Sequence, residues 1–199
     1  MKKNDISENI KSYKPFVLVL CGPPLSRKTT LGDILSAQSN LTLFDVDITR
    51  WELFPKTGLL EPDPETNQMV TAYQTICRRA SETLQNGTPA LLTGTFSRAE
   101  FKQPLEELYG KLQEQGIEIR IFQLTADEEE IKRRIDSRRA SGVHHTIDTI
   151  EKYRWAHKSY TSITFAEPSI LDTQAPLDQL SQNIFDSLES LTTSTPQDP

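Results

Sequence analysis

Residues 16–30 read Phe16-Val17-Leu18-Val19-Leu20-Cys21-Gly22-Pro23-Pro24-Leu25-Ser26-Arg27-Lys28-Thr29-Thr30. The apolar run at the front is too short for a core helix and rich in β-formers, so it reads as a strand buried on both faces. Gly22 breaks the strand, and Pro23-Pro24 forbid helix over the next few positions. Beyond the lysine, Leu31, Ile34 and Leu35 fall on one face of a helix. Strand, Gly-led loop, Lys-Thr and helix in that order is the setting of a phosphate-binding P-loop. Loop N–H groups and the positive helix end converge there on an anion. The nucleotide-binding stretch is then Gly22, Pro23, Pro24, Leu25, Ser26, Arg27, Lys28, Thr29 and Thr30. Lys28 is expected to reach the β- and γ-phosphates of ATP, and Thr29 to offer its hydroxyl to Mg²⁺. Two positions depart from the pattern G-x-x-x-x-G-K-[ST]. Arg27 stands where the second glycine is written, and Leu25 fills a position often held by glycine. A side chain at 27 has to point away from the phosphates, or the loop has to adjust. The plainer alternative is a solvated βα turn that carries a lysine.

The chain has 199 residues, which suits one α/β domain at roughly 100–200 residues per domain. Formal net charge is −6 and the pI is about 5.2. That balance lacks the global basic footprint of a nucleic-acid binder and argues against long nucleic acid as a partner. Two cysteines, Cys21 and Cys77, are a poor disulfide framework, and a reducing cytoplasm is the default expectation. No apolar run approaches the ~20 residues of a membrane span. Residues 1–15 read as a flexible leader, 16–191 as one domain and 192–199 as a disordered tail.

Strand and helix signals alternate along the domain. Leu41–Phe44 reads as a second strand, and Asp47 as the cap of a short helix over 48–53. Residues 54–67, rich in proline, read as loop. Residues 68–86 fit one long helix, with Val70, Tyr73, Ile76, Cys77, Ala80 and Leu84 at helical spacing. Pro89–Thr93 is a third strand. Ser97 with Glu100 has the spacing of a capping box, and Pro104 is expected to interrupt the helix that follows or to mark a restart near Leu105. Residues 117–124 form a fourth strand, and Asp127 caps a charged helix. A helix over 147–161, a fifth strand at 169–172 and a final amphipathic helix from Leu177 to Leu191 complete the pattern. The outcome is a doubly wound, five-stranded parallel sheet with helices on both faces and a small helical lid over about 139–160. Ligands in such sheets lie beyond the carboxyl ends of the strands. The loops at 22–29, 45–50, 93–98 and 125–127 therefore share the functional rim.

Four pieces in this order resemble the P-loop kinases that include polynucleotide kinases, zeta toxins and many small-molecule kinases. They are the loop Gly22–Thr29, the stretch Asp47-Ile48-Thr49-Arg50, the strand-turn Leu92-Thr93-Gly94-Thr95-Phe96-Ser97-Arg98, and the helix Glu130 to Arg138. The resemblance spans about residues 16–190. It implies Asp47 as the base that takes the acceptor's proton and Arg50 as the clamp on the substrate. It also implies Arg134 and Arg138 as lid arginines over the triphosphate, with Arg133 and Arg139 able to share their roles. Asp45 competes with Asp47 for either of its roles, and a helix cap with a surface arginine is the plainer reading of that pair. No carboxylate lies between Glu82 and Glu100, where the family carries an acidic residue after the third strand. Mg²⁺ is then left to Thr29, phosphate oxygens, water and Asp45 or Asp47. Thr95 and Arg98 are further candidates for substrate contact. His144-His145 reads as surface, Trp51 as acceptor pocket or core, and Asp172 as a turn residue.

The resulting expectation is an ATP- and Mg²⁺-dependent kinase acting on a hydroxyl of a small or nucleotide-like acceptor. Two rivals are a nucleotide-binding module without catalysis and a polynucleotide 5′-hydroxyl kinase.

Overall fold

The computed structural model describes residues 15–55, 68–142 and 146–189. Its centre is a sheet of β1 (Val17–Cys21), β2 (Thr42–Asp45), β3 (Ala90–Thr93), β4 (Ile119–Thr125) and β5 (Ser169–Asp172). The order is β2-β3-β1-β4-β5, and every pairing is parallel. The helices among the described residues are α1 (Lys28–Gln38), α2 (Val46–Leu53), α3 (Gln68–Gln85), α4 (Ala99–Glu114), α5 (Glu128–Ala140), α6 (Ile150–Lys158) and α7 (Leu177–Glu189). None is long and apolar enough to cross a membrane.

β1 is central and wholly buried, which is why its sequence is apolar without alternation. Val17, Val19 and Cys21 face Tyr73, Ile76 and Ala80 of α3 and Leu105 and Leu112 of α4. Leu18 and Leu20 face Leu31 and Leu35 of α1 and Leu180 and Ile184 of α7. These two clusters are the two layers of the doubly wound fold. A third, smaller cluster joins Leu25 of the P-loop to Ile131 and Ile135 of α5 and Tyr153 of α6. Register aligns Leu20 with Thr93 and Phe122, and Thr93 with Asp45. The carboxyl ends of β1, β2, β3 and β4 thus form one rim.

Helix caps and kinks differ from the sequence expectations in three places. Asp45, not Asp47, caps α2: its Oδ1 accepts the N–H of Asp47 at 2.9 Å and of Ile48 at 3.1 Å. Two aspartates compete for the cap, and Asp45 is the one whose backbone is still extended, as a cap requires. The Ser97 capping box does not form. α4 starts at Ala99 with Arg98 at the cap and no side-chain cap bond, while the Ser97 hydroxyl stands 3.4 Å from Thr95 Oγ1. Pro104 does not interrupt α4, which runs unbroken from Ala99 to Glu114. The proline removes one N–H bond but is itself buried in the packed face of the helix.

Asp127 does cap α5, accepting the Glu130 N–H at 2.8 Å. Asp172 closes a turn by accepting the Gln174 N–H at 3.0 Å. Trp51 is 46% exposed on α2, so it is not a core residue. α6 is shorter than expected and is capped by Thr149. The His144-His145 pair, most of the 54–67 loop, residues 1–14 of the leader and the tail lie outside the described residues.

Candidate functional site

The loop after β1 has the backbone path its sequence makes difficult. Gly22 sits at φ 139, and a Cβ there would stand 2.3 Å from the Leu124 carbonyl oxygen. Leu25 and Arg27 both sit at φ 65, in the left-handed region. A non-glycine residue there costs roughly 1–2 kcal/mol. Something outside the loop must hold it, and α5 does. Arg134 Nη1 donates to the Leu25 carbonyl at 2.6 Å. The Leu25 side chain is buried in the third cluster. The Arg27 side chain leaves the loop for Glu130 Oε1, 3.5 Å away.

Lys28 opens α1, whose N-terminus has no side-chain cap and no acidic residue in its first turn. The positive helix end is therefore unopposed by its own sequence. Lys28 Nζ donates to the Pro23 carbonyl at 2.7 Å and lies 3.3 Å from Ser26 Oγ. Burial pushes its pKa down to about 8, against the opposing pull of Asp47, Cys21 and Asp45, while the charge of Arg138 adds to the depression. Cys21 ends β1 beneath the loop. Burial pushes its thiol up to about 12, so it is no nucleophile at neutral pH.

Thr29 Oγ1 donates to Asp45 Oδ2 at 3.1 Å. Thr93 Oγ1 donates to the same oxygen at 2.6 Å. The carboxylate that serves this corner thus comes from the end of β2, and β3 supplies a hydroxyl in support. A hydroxyl and a carboxylate side by side are hard oxygen donors, and they fit a Mg²⁺ ion that takes its other ligands from phosphates and water.

Asp47 follows one residue into α2. Among the described residues no donor bonds its carboxylate. Desolvation by the surrounding protein, then the Asp45 charge, push its pKa above the usual carboxylate range, with Lys28 and Arg50 pulling back. Arg50, one turn on, is buried, and its Nε donates to Gln68 Oε1 at 3.2 Å. The D-x-x-R spacing thus separates the two side chains by environment: Asp47 is exposed, and Arg50 is tied into the base of α3.

Arg134 and Arg138 lie one turn apart on α5 but differ in their surroundings. Arg134 is 8% exposed. Besides Leu25, it donates from Nε to Glu130 at 2.7 Å and from Nη2 to the Thr173 carbonyl and hydroxyl at 2.6 and 3.1 Å. The Arg138 guanidinium has no hydrogen bond or ion pair among the described residues, and its charge is felt at Lys28. Arg133 is spent on Glu130, at 2.6 and 2.7 Å.

The turn after β3 has an organiser that the sequence does not announce. Tyr73 Oη accepts the N–H of Thr95 at 3.0 Å and of Phe96 at 3.2 Å, and lies 3.0 Å from Thr95 Oγ1. Phe96 is buried at φ 46. Tyr73 reads as a core residue because its helical spacing puts it on the buried face. The signal that it does more is a phenol hydroxyl with no water to turn to.

The protein-family comparison matches an AAA domain over residues 17–159. No curated protein matches the sequence. Among solved structures, a putative kinase from Chloroflexus aurantiacus is 21% identical at a TM-score of 0.67, covering 90% of this chain and 98% of that one. A sugar kinase from Janibacter sp. is 15% identical at 0.64, with coverages of 91% and 99%. The Mycobacterium tuberculosis APS kinase CysC, in complex with AMPPNP and APS, is 16% identical at 0.61, with coverages of 88% and 98%. At these identities the likeness is one of fold, and the fold is α/β and P-loop kinase-like. The family match spans well over half of the sequence, and the chain belongs to the AAA domain family.

Proposed function

We propose that the protein is a kinase that binds ATP with Mg²⁺ and transfers the γ-phosphate to a hydroxyl of a small-molecule or nucleotide-like acceptor. The observation that carries this reading is the setting of Lys28. It opens an uncapped helix, and the charges of Asp47, Asp45 and Arg138 meet around it. On this reading Lys28 leaves Pro23 and Ser26 to pair with the β- and γ-phosphates. Thr29 and Asp45 hold Mg²⁺, which when bound neutralises charge on the phosphoryl oxygens. Asp47, unbonded and with a raised pKa, takes the acceptor's proton as the oxygen attacks. Arg138, a cation with no partner in the described protein, stabilises the charge of the phosphoryl group in flight.

The fold neighbours carry the names of small-molecule kinases, and this chain is acidic. Both support a small acceptor over a polynucleotide end. The rival reading, a nucleotide-binding module without catalysis, draws support from Arg27 in a glycine position and from Arg50 turned inward to Gln68. A thermal-shift screen with nucleotides, followed by γ-phosphate transfer to a panel of hydroxyl metabolites, separates the two. A nucleotide-induced shift without transfer to any acceptor supports the module.

A further inference from the structure

The two P-loop residues held outside their ordinary backbone range are both fastened to one helix. Leu25 is held twice by α5, through its carbonyl on Arg134 and its side chain against Ile131 and Ile135. Arg27 is held by Glu130. Arg134 is itself anchored at its other end. Its Nη2 grips Thr173, whose N–H and hydroxyl both donate to the Thr125 carbonyl at 2.8 Å. A single guanidinium therefore spans from the edge of the sheet, where β4 and β5 end, to the phosphate loop. Glu130 locks that guanidinium through Nε and also takes Arg133. Hydrogen bonds from Arg133 and then Arg134 hold the Glu130 carboxyl down at about 2, so the hub stays ionised throughout the neutral range.

We infer that α5 is a splint for the phosphate loop, and that Arg134 and Glu130 are positioning residues holding Leu25 and Arg27 in the left-handed conformation that glycines would adopt unaided. The inference rests on the nucleotide reading of the site for its functional consequence and on geometry alone for the splint. It also divides the labour on α5. A guanidinium has five N–H groups, and Arg134 makes four hydrogen bonds within the protein. Arg138 keeps its donors for a ligand. The usual glycine at position 27 removes the backbone cost; this chain keeps arginine there and adds an ion pair to restrain it.

The test is Arg134→Met, with backbone amide exchange in the free protein and Mg-AMPPNP binding by calorimetry as readouts. Exchange of the Leu31 amide, which donates to the Arg27 carbonyl at 3.0 Å and so reports on the loop-to-helix junction, should accelerate about tenfold or more relative to those of Val19 and Leu20, as expected for loss of charged hydrogen bonds. AMPPNP affinity should fall by a similar factor, and adding Arg27→Gly should recover most of it, a coupling that independent sites do not show. If Arg134→Met does not fold, Glu130→Gln carries the same readouts. Unchanged Leu31 exchange overturns the splint. So does acceleration shared equally by β1, which is general destabilisation. Lost affinity with unchanged exchange makes Arg134 a direct nucleotide contact and also overturns it. Faster Leu31 exchange in a protein whose wild type binds no AMPPNP leaves the splint standing and sinks the nucleotide reading instead.

Discussion

Thr29 and Asp45 are joined across 3.1 Å, tying the start of α1 to the end of β2. Asp45 also caps α2 through its other oxygen, so its charge and its shape can be tested apart. Asp45→Asn keeps a capping oxygen and removes the anion. The Mg²⁺ concentration needed for nucleotide-induced stabilisation should rise about tenfold, while the nucleotide-free protein melts within a few degrees of wild type. A Mg²⁺ titration at fixed ATP, read by thermal shift, checks this.

Lys28 carries a pH signature. Its pKa in the free protein is about 8, and phosphates binding beside it favour the protonated form. Below pH 8 the ammonium is already present, so affinity should be flat. Above pH 8 binding has to take up a proton, and affinity should fall toward tenfold per pH unit. Calorimetry near pH 8 in buffers of different ionisation enthalpy should show uptake of about half a proton per nucleotide. Lys28→Ala should abolish both the uptake and the Mg-ATP stabilisation. A proton-neutral interaction in wild type would count against contact between Lys28 and the phosphates.

Arg138→Ala should lower phosphoryl transfer more than it weakens nucleotide binding, because a cation aimed at the group in flight acts mainly in the transition state. Single-turnover rates and AMPPNP affinity, measured side by side, give the two numbers. Equal losses in both would make Arg138 an ordinary ground-state contact.

Tyr73→Phe should leave the Thr95 and Phe96 N–H groups without their acceptor inside the protein. A buried donor left unpaired costs about 1–3 kcal/mol, and thermal denaturation should show a drop of several degrees. An unchanged melting temperature would mean that the β3 turn is held by other contacts.

Where the sequence is legible and where it is not follows from the range of each interaction. β1 is readable because a strand buried on both faces has to be apolar throughout. The cap at Asp127 is readable because the cap and the N–H it accepts lie three residues apart. The choice between Asp45 and Asp47 turns on one residue's backbone angle, which periodicity does not encode. Arg134 and Arg138 share a side of α5 by spacing, but spacing carries no information about Leu25, 109 residues away in sequence. The link from Thr93 to Asp45 spans 48 positions and joins two residues that look ordinary alone. Local rules place the P-loop; its support is tertiary.

Asp47 decides between enzyme and binding module. Desolvation by the surrounding protein and the neighbouring Asp45 raise its pKa, so the acid limb of the pH–rate profile should lie above the ordinary carboxylate range, with activity lost as pH falls through it. The most direct measurement is transfer of the γ-phosphate of labelled ATP to a panel of hydroxyl metabolites by wild type and Asp47→Asn in parallel. The kinase reading predicts a labelled acceptor with wild type and a rate lower by roughly 10²–10⁴ with the variant, at little changed nucleotide affinity. Bound nucleotide with no labelled acceptor from wild type, or equal rates from the two proteins, would contradict it.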